Sequence, residues 1–123
     1  MHHHIVYETR CLINGNTYIG VHTSLRKKDR YLGSGEALLK DIKKYGRKNF
    51  KRRTIMECDS REECFKYEAY FVDKKFIGKE STYNSVEGGS CPLSLAEEWR
   101  KEIKQSFKIK SNFIHRKTLT SYR

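Results

Sequence analysis

No run of about 18 apolar residues occurs in the chain, which argues against a transmembrane helix. No pair among its four cysteines, Cys11, Cys58, Cys64 and Cys91, has Cys-x-x-Cys spacing, and no His-x-x-x-His tract accompanies them. A structural zinc site is therefore not expected. Reduced thiols in a cytoplasmic protein are the default, with Cys11 and Cys64 partly buried. No signal peptide is legible either, because Met1-His2-His3-His4 leads straight into a strand pattern. These histidines are read as non-functional. Acidic residues are scarce beside basic ones: 15 Asp and Glu against 26 Lys and Arg, a formal net charge of +11. That excess favours a polyanionic partner, nucleic acid or an anionic surface, although a merely solvated basic surface has the same composition.

What is present fits one small domain of 123 residues with a short appendage and a modest core. The stretch from His4 to His22 has two β-rich arms around Asn14-Gly15. Asn-Gly signals a hairpin, since a type I′ turn needs positive φ at both central residues. In the first arm Ile5, Tyr7, Thr9 and Cys11 point one way, and Val6, Glu8, Arg10 and Leu12 the other. The second arm runs from Thr17 to His22 and places His22 on the same strand face as Tyr18.

A polar, cationic loop with Arg26, Lys27, Lys28 and Arg30 follows, then Tyr31-Leu32-Gly33-Ser34-Gly35. Ser34 is a candidate N-cap for a helix from about Glu36 to Tyr45, with Leu38, Ile42 and Tyr45 on one face, Lys40, Lys43 and Lys44 on the other, and Gly46 as the stop. A third strand is expected from Phe50 to Glu57, with Phe50, Arg52, Thr54 and Met56 on one side and Lys51, Arg53, Ile55 and Glu57 on the other. Lys48, Lys51, Arg52 and Arg53 would line a backbone-binding surface or stand as isolated solvated charges.

Ser60-Arg61-Glu62-Glu63 is a capping box. The helix it opens is expected to reach Phe76, with a stripe of Phe65, Ala69, Val72 and Phe76. Glu68 sits on or beside that stripe. A carboxylate there is usually paired, protonated or bound to a metal, because an unpaired buried charge costs several kcal/mol. Thr82-Tyr83-Asn84 leads to a Gly88-Gly89 turn. Beyond Pro92, Leu95, Trp99, Ile103 and Phe107 recur every four residues, flanked by Arg100, Lys101, Lys104 and Lys108, with Ser94 as a candidate cap. This basic helix either packs on the domain or belongs to a DNA-binding appendage.

Taken together, Ile5-Val6-Tyr7, a ten-residue spacer and Tyr18-Ile19-Gly20 resemble the paired-strand signature of the GIY-YIG nuclease superfamily. Ile5-Val6 stand where Gly-Ile would be. Tyr31-Leu32-Gly33-Ser34-Gly35 followed by Ile42-Lys43-Lys44-Tyr45-Gly46 and Asn49-Phe50 is similar to a segment of phage-type homing endonucleases. The helix around Tyr67-Glu68-Ala69 resembles the one carrying the family's metal-binding glutamate, and Tyr83-Asn84 before Gly88-Gly89 resembles its closing motif.

The resemblance covers roughly residues 4 to 90. It implies an α/β domain over 1–90, a small, mainly antiparallel three-stranded sheet flanked by helices, followed over 91–123 by a basic C-terminal helical tail. It also implies a DNA endonuclease dependent on Mg²⁺ or Mn²⁺ and acting on double-stranded DNA, cytoplasmic in a bacterial host if phage-encoded, and oligomeric if one protein cuts both strands. A catalytically inactive nucleic-acid-binding protein of the same fold is the alternative. The implied catalytic set is Tyr7, Tyr18, Glu68 as metal ligand, and Asn84. His22 is added as a proton acceptor or phosphate donor. Arg26 is favoured for the catalytic arginine, with Arg30 second. Lys28, Lys40, Lys43, Lys44, Lys48, Lys51, Arg53, Arg100 and Lys104 are the expected DNA contacts.

Overall fold

The computed structural model describes residues 2–26, 28–84 and 96–106. Three strands, β1 (His3–Cys11), β2 (Thr17–Ser24) and β3 (Phe50–Cys58), form one sheet in the order β2-β1-β3, with both pairs antiparallel. Two helices, α1 (Glu36–Tyr45) and α2 (Arg61–Phe71), are followed by the short α3 (Lys74–Ile77), and residues 96–106 are helical. This is the expected α/β architecture. Cys91, the Gly88-Gly89 pair, Ser94, Leu95, Lys27 and everything from Phe107 onward lie outside the described residues.

The central strand explains the arrangement. Ile5 through Thr9 are all buried, so β1 is covered on both faces. On one face Cys11 packs with Leu32, Leu38, Phe50 and Tyr83, and Tyr18 and Ile42 close the cluster. On the other, Val6 and Ile19 meet Cys64, Val72, Tyr67 and Phe71 around α2. The hairpin pairs Tyr7 with Gly20 and Thr9 with Tyr18, as the alternation requires.

Four local expectations are corrected. The hairpin turn is not a two-residue type I′ turn: strand pairing stops at Arg10 and Thr17, and Gly15, at φ +78°, donates to the Cys11 carbonyl at 2.9 Å. Asn14 widens the turn by accepting from the Asn16 N–H at 2.9 Å and donating to Asp41 at 3.2 Å, an Asx turn tied to α1. In β3, Met56 does not share the face of Phe50. Val6 pairs with Met56 but Tyr7 with Thr54, so Ile55 is an extra residue, a bulge, and Ile55 and Met56 both join the α2 core. The N-cap of α1 is Gly35, with no side-chain cap bond, rather than Ser34. Finally, the second helix ends at Phe71, not Phe76. Asp73 starts a new turn there by accepting from the Phe76 N–H at 2.9 Å; of the expected stripe Ala69 and Val72 are buried and Phe76 packs on the α2 core, while Cys64, Tyr67 and Phe71 take the place of Phe65.

The outer edge of β2 is covered by residues 81–84. Thr17 donates to the Ser81 carbonyl at 2.9 Å and accepts from the Tyr83 N–H at 2.7 Å, a short parallel pairing. In the 96–106 helix, Ala96 and Ile103 are buried, and Arg100 donates through Nε to the Ala69 carbonyl at 2.5 Å. This helix packs on the end of α2, where the last carbonyls lack intrahelical partners.

Candidate active site

The site is built on the Thr9 side of the sheet by three glycines. Tyr7 is 1% exposed, and its ring lies over Gly20, its cross-strand partner. A Cβ at Gly20 would stand 2.6 Å from the Tyr7 hydroxyl, so no other residue fits without displacing that ring. Tyr18 is held by the loop that follows β2: Cβ atoms at Gly33 and Gly35 would come within 3.0 and 2.6 Å of its ring. Thr9 fixes that loop over the sheet by donating to the Leu32 carbonyl at 2.5 Å. The Tyr7 and Tyr18 rings then lie 6.3 Å apart at 44°.

His22 and Tyr31 complete an aromatic cluster. Their rings stack at 4.1 Å and 9°, and both meet Tyr7 edge-on, at 6.4 and 5.9 Å. His22 Nε2 lies 2.7 Å from Asp29 Oδ2. Asp29 Oδ1 accepts from Arg52 Nη1 at 2.8 Å and from the Tyr31 N–H at 3.2 Å. Burial alone would raise the Asp29 pKa, but the hydrogen bonds from His22, the Tyr31 backbone and Arg52 outweigh it and hold the carboxyl at about 2. An ionised carboxylate only accepts, so the Nε2 facing it carries the hydrogen, and Nδ1 has no hydrogen-bond partner among the described residues.

Both phenols are pushed above the ordinary tyrosine range. For Tyr7 the cause is first burial, then the neighbouring Tyr31, Tyr18 and Glu68. For Tyr18 it is burial, then Glu68 and Tyr31, partly offset by a hydrogen bond from Ser34. Glu68, half-buried on α2, is thus near enough for its charge to act on both tyrosines.

Tyr7, Tyr18 and His22 are therefore brought together, and Glu68 bears on the two phenols electrostatically from α2. Asn84 reaches the site through the backbone: its Oδ1 accepts from the Ile19 N–H and its Nδ2 donates to the Ile19 carbonyl, both at 2.8 Å. Arg26 and Arg30 are exposed in the loop after β2, and the Arg30 carbonyl accepts from the Arg47 guanidinium. The guanidinium over the Tyr7 ring, 5.8 Å from its centroid, belongs to Arg52. Lys28, Lys48 and Arg53 line a cleft beside the cluster, and Arg53 also pairs with buried Glu8 at 3.1 Å. Lys40, Lys43 and Lys44 are exposed on α1, Lys51 on β3 and Lys104 on the last helix, while Arg100 is turned inward onto α2. Of the clustered residues, Asp29 has no place in the sequence expectations, Tyr31 stands there only as the first residue of the motif over 31–35, and Arg52 only as a backbone-binding or solvated charge. The one available signal was the alternation that puts Arg52 opposite Thr9, on the face of Tyr7. Among the described residues, no group of three or more His, Cys, Asp or Glu is gathered to hold a metal ion.

A three-stranded antiparallel sheet with a covered central strand and a tyrosine–histidine–glutamate cluster defines a small α/β domain with a candidate catalytic face. Its sequence is similar to proteins of Enterobacteria phage T4. It is 42% identical over 86 residues to "Putative endonuclease segD", covering 70% of this chain and 39% of that protein. It is 38% identical over 104 residues to the segE protein of the same designation, covering 85% and 51%, and 30% identical over 114 residues to segB, covering 87% and 52%. The chain thus spans about half the length, or less, of these relatives. No family model matches the chain, and no solved structure matches it.

Proposed function

We propose that this chain is a metal-dependent DNA endonuclease domain of the GIY-YIG type, cleaving phosphodiester bonds at the cluster around Tyr7. The observation that carries the reading is the meeting of Tyr7, Tyr18 and His22 on one sheet face with Glu68 close enough to act on both phenols. The names of the phage relatives support it.

His22, oriented by Asp29, is the proton acceptor for the attacking water. Its Nδ1, without a hydrogen-bond partner among the described residues, and its fixed ring meet the need for a positioned base better than two tyrosines whose protons are held more tightly than usual. Tyr18 acts as a neutral hydrogen-bond donor that orients water and phosphate, and the buried Tyr7 positions the rings around it. Arg52, rather than Arg26 or Arg30, is the guanidinium nearest the reacting face, and its planar fork suits phosphate oxygens. Asn84 is a positioning residue, holding the strand of Tyr18 in place through Ile19. Glu68 fits Mg²⁺ or Mn²⁺ as a hard oxygen ligand; with no cluster of further ligands described, it would share the ion with water and substrate, the manner of Mg²⁺. Such an ion, when bound, supplies positive charge to the scissile phosphate.

The test is supercoiled plasmid incubated with the protein in Mg²⁺ or in EDTA, beside Glu68→Gln. Nicking that requires Mg²⁺ and is lost in the variant is the expected result. Nicking that survives Glu68→Gln would remove Glu68 as the ligand. Absence of nicking by folded protein on plasmid, phage and host DNA, with DNA binding retained, would leave a binding protein of the same fold.

A further inference from the structure

Beside the cluster, the loop of residues 28–32, the 3-10 turn (Arg47–Asn49) and the outer strand β3 enclose a cleft of about 680 Å³. Among the described residues lining it, Lys28, Arg30, Arg47, Lys48, Arg52 and Arg53 are cationic, and Asp29 is the one acid. Asp29 is paired with Arg52 and His22, and Arg53 with Glu8, so the cleft's net positive charge comes from the other four cations. Four of the cations, Lys28, Arg30, Arg47 and Lys48, are exposed. Positive side chains converging on a concave wall repel one another and concentrate anions there.

We propose that this cleft is a backbone-binding subsite for one strand of duplex DNA, seating the phosphates that flank the bond to be cut. The proposal rests on the endonuclease reading for the bond's position. The lining has no described Asn or Gln, and its apolar members, Leu32 and Phe50, are buried. It therefore offers charge without the apolar anchor pockets a peptide partner needs, and without the side chains suited to adenine edges. Its cationic side chains suit phosphate oxygens, the contacts that position a strand. Tyr31 and Arg52 connect it to the chemistry. Both line the cleft, and both lie within 6 Å of the Tyr7 ring centre, at 5.9 and 5.8 Å. A strand in the cleft therefore passes directly beside the cluster.

The experiment uses the full chain with Glu68→Gln, so that substrate survives, and follows a short fluorescent duplex by anisotropy over a range of salt. Adding Arg47→Ala and Lys48→Ala is expected to weaken binding on the order of tenfold and to reduce the log–log salt slope by nearly 2, about 0.9 per lost phosphate contact. Lys75→Ala with Lys79→Ala removes equal charge from exposed positions in and just after α3, outside the expected DNA contacts, and is expected to leave affinity within about twofold. Equal losses from the two pairs, or no loss from the first, would overturn the subsite, as would polyglutamate competing as well as duplex at equal charge. All four residues are exposed, and matching melting curves exclude unfolding. If the parent chain never nicks plasmid but the cleft pair alone loses binding, the endonuclease reading fails and the subsite stands. If the parent nicks and the cleft pair binds normally, the reverse holds.

Discussion

Gly20 leaves room for the Tyr7 ring, and that room is all the site can spare. A Cβ there would meet the Tyr7 hydroxyl at 2.6 Å and its Cζ at 2.9 Å, and Tyr7 is too buried to swing aside. Gly20→Ala is expected to destabilise the fold by about 1–3 kcal/mol, the range for overpacking. The melting temperature should fall by roughly 5–15 °C. Gly15→Ala is the contrast. Nothing lies within 4 Å of its Cβ, so the strain comes only from φ +78°, about 1–2 kcal/mol. At a temperature where both variants are folded, Gly20→Ala should cleave poorly and Gly15→Ala as the parent does. Equal rates would separate Tyr7 from the chemistry. Asp29 yields a second prediction at this scale. Its pKa is depressed from 3.8 to about 2. It therefore stabilises the fold above the unfolded value, and that contribution is lost as pH falls through the folded one. After solvent screening the effect is about 1 kcal/mol. Denaturation midpoints of the parent should drop between about pH 4 and pH 2, whereas Asp29→Asn should have a flatter acid limb. For His22→Ala, a pH–rate profile identical to the parent's would remove His22 as the base.

Elements are where strand alternation was most legible and where its limits are plain. Tyr7, Tyr18 and His22 share a face because side chains alternate with period two and the hairpin fixes the register. That much of the site could be read directly. Asp29 and Arg52 could not, since their meeting joins a loop to a strand 23 residues on. The bulge at Ile55 was hidden because Ile55 and Met56 are both apolar, so the pattern reads equally well with or without an extra residue. The break after Phe71 was hidden because Val72 and Phe76 continue the apolar spacing even though Asp73 restarts the turn. The cover on β2 is a third case: Asn84 supplies with one side chain the two hydrogen bonds a paired strand would give Ile19. Asn84→Ala leaves a buried N–H and C=O unpaired, worth about 1–3 kcal/mol. Amide exchange at Ile19 should accelerate, and cleavage should fall at unchanged substrate affinity. If exchange speeds up while the cleavage rate holds, the strand's fixation is structural only.

At the scale of the whole molecule, charge and the number of candidate sites set the behaviour. A net charge of +11 favours a polyanionic partner, and none of the described helices is long and apolar enough to cross a membrane. The described residues hold one cluster around Tyr7, and under the proposed function one set of groups aligned on one phosphate severs one strand at a time. A monomer acting on supercoiled plasmid should therefore release open circle first, and linear DNA only as a later product in which a second nick falls opposite the first. The rate of the first step should rise in proportion to protein concentration. A pair of chains with clusters facing opposite strands would behave differently. Linear product would then appear without accumulated open circle, and the rate would climb with the square of concentration below the dimerisation constant. Mixing active chain with a large excess of Glu68→Gln separates the two cases. Mixed dimers would nick but not linearise, so a dimer should shift its product to open circle, while a monomer's product distribution should not change beyond simple competition for DNA.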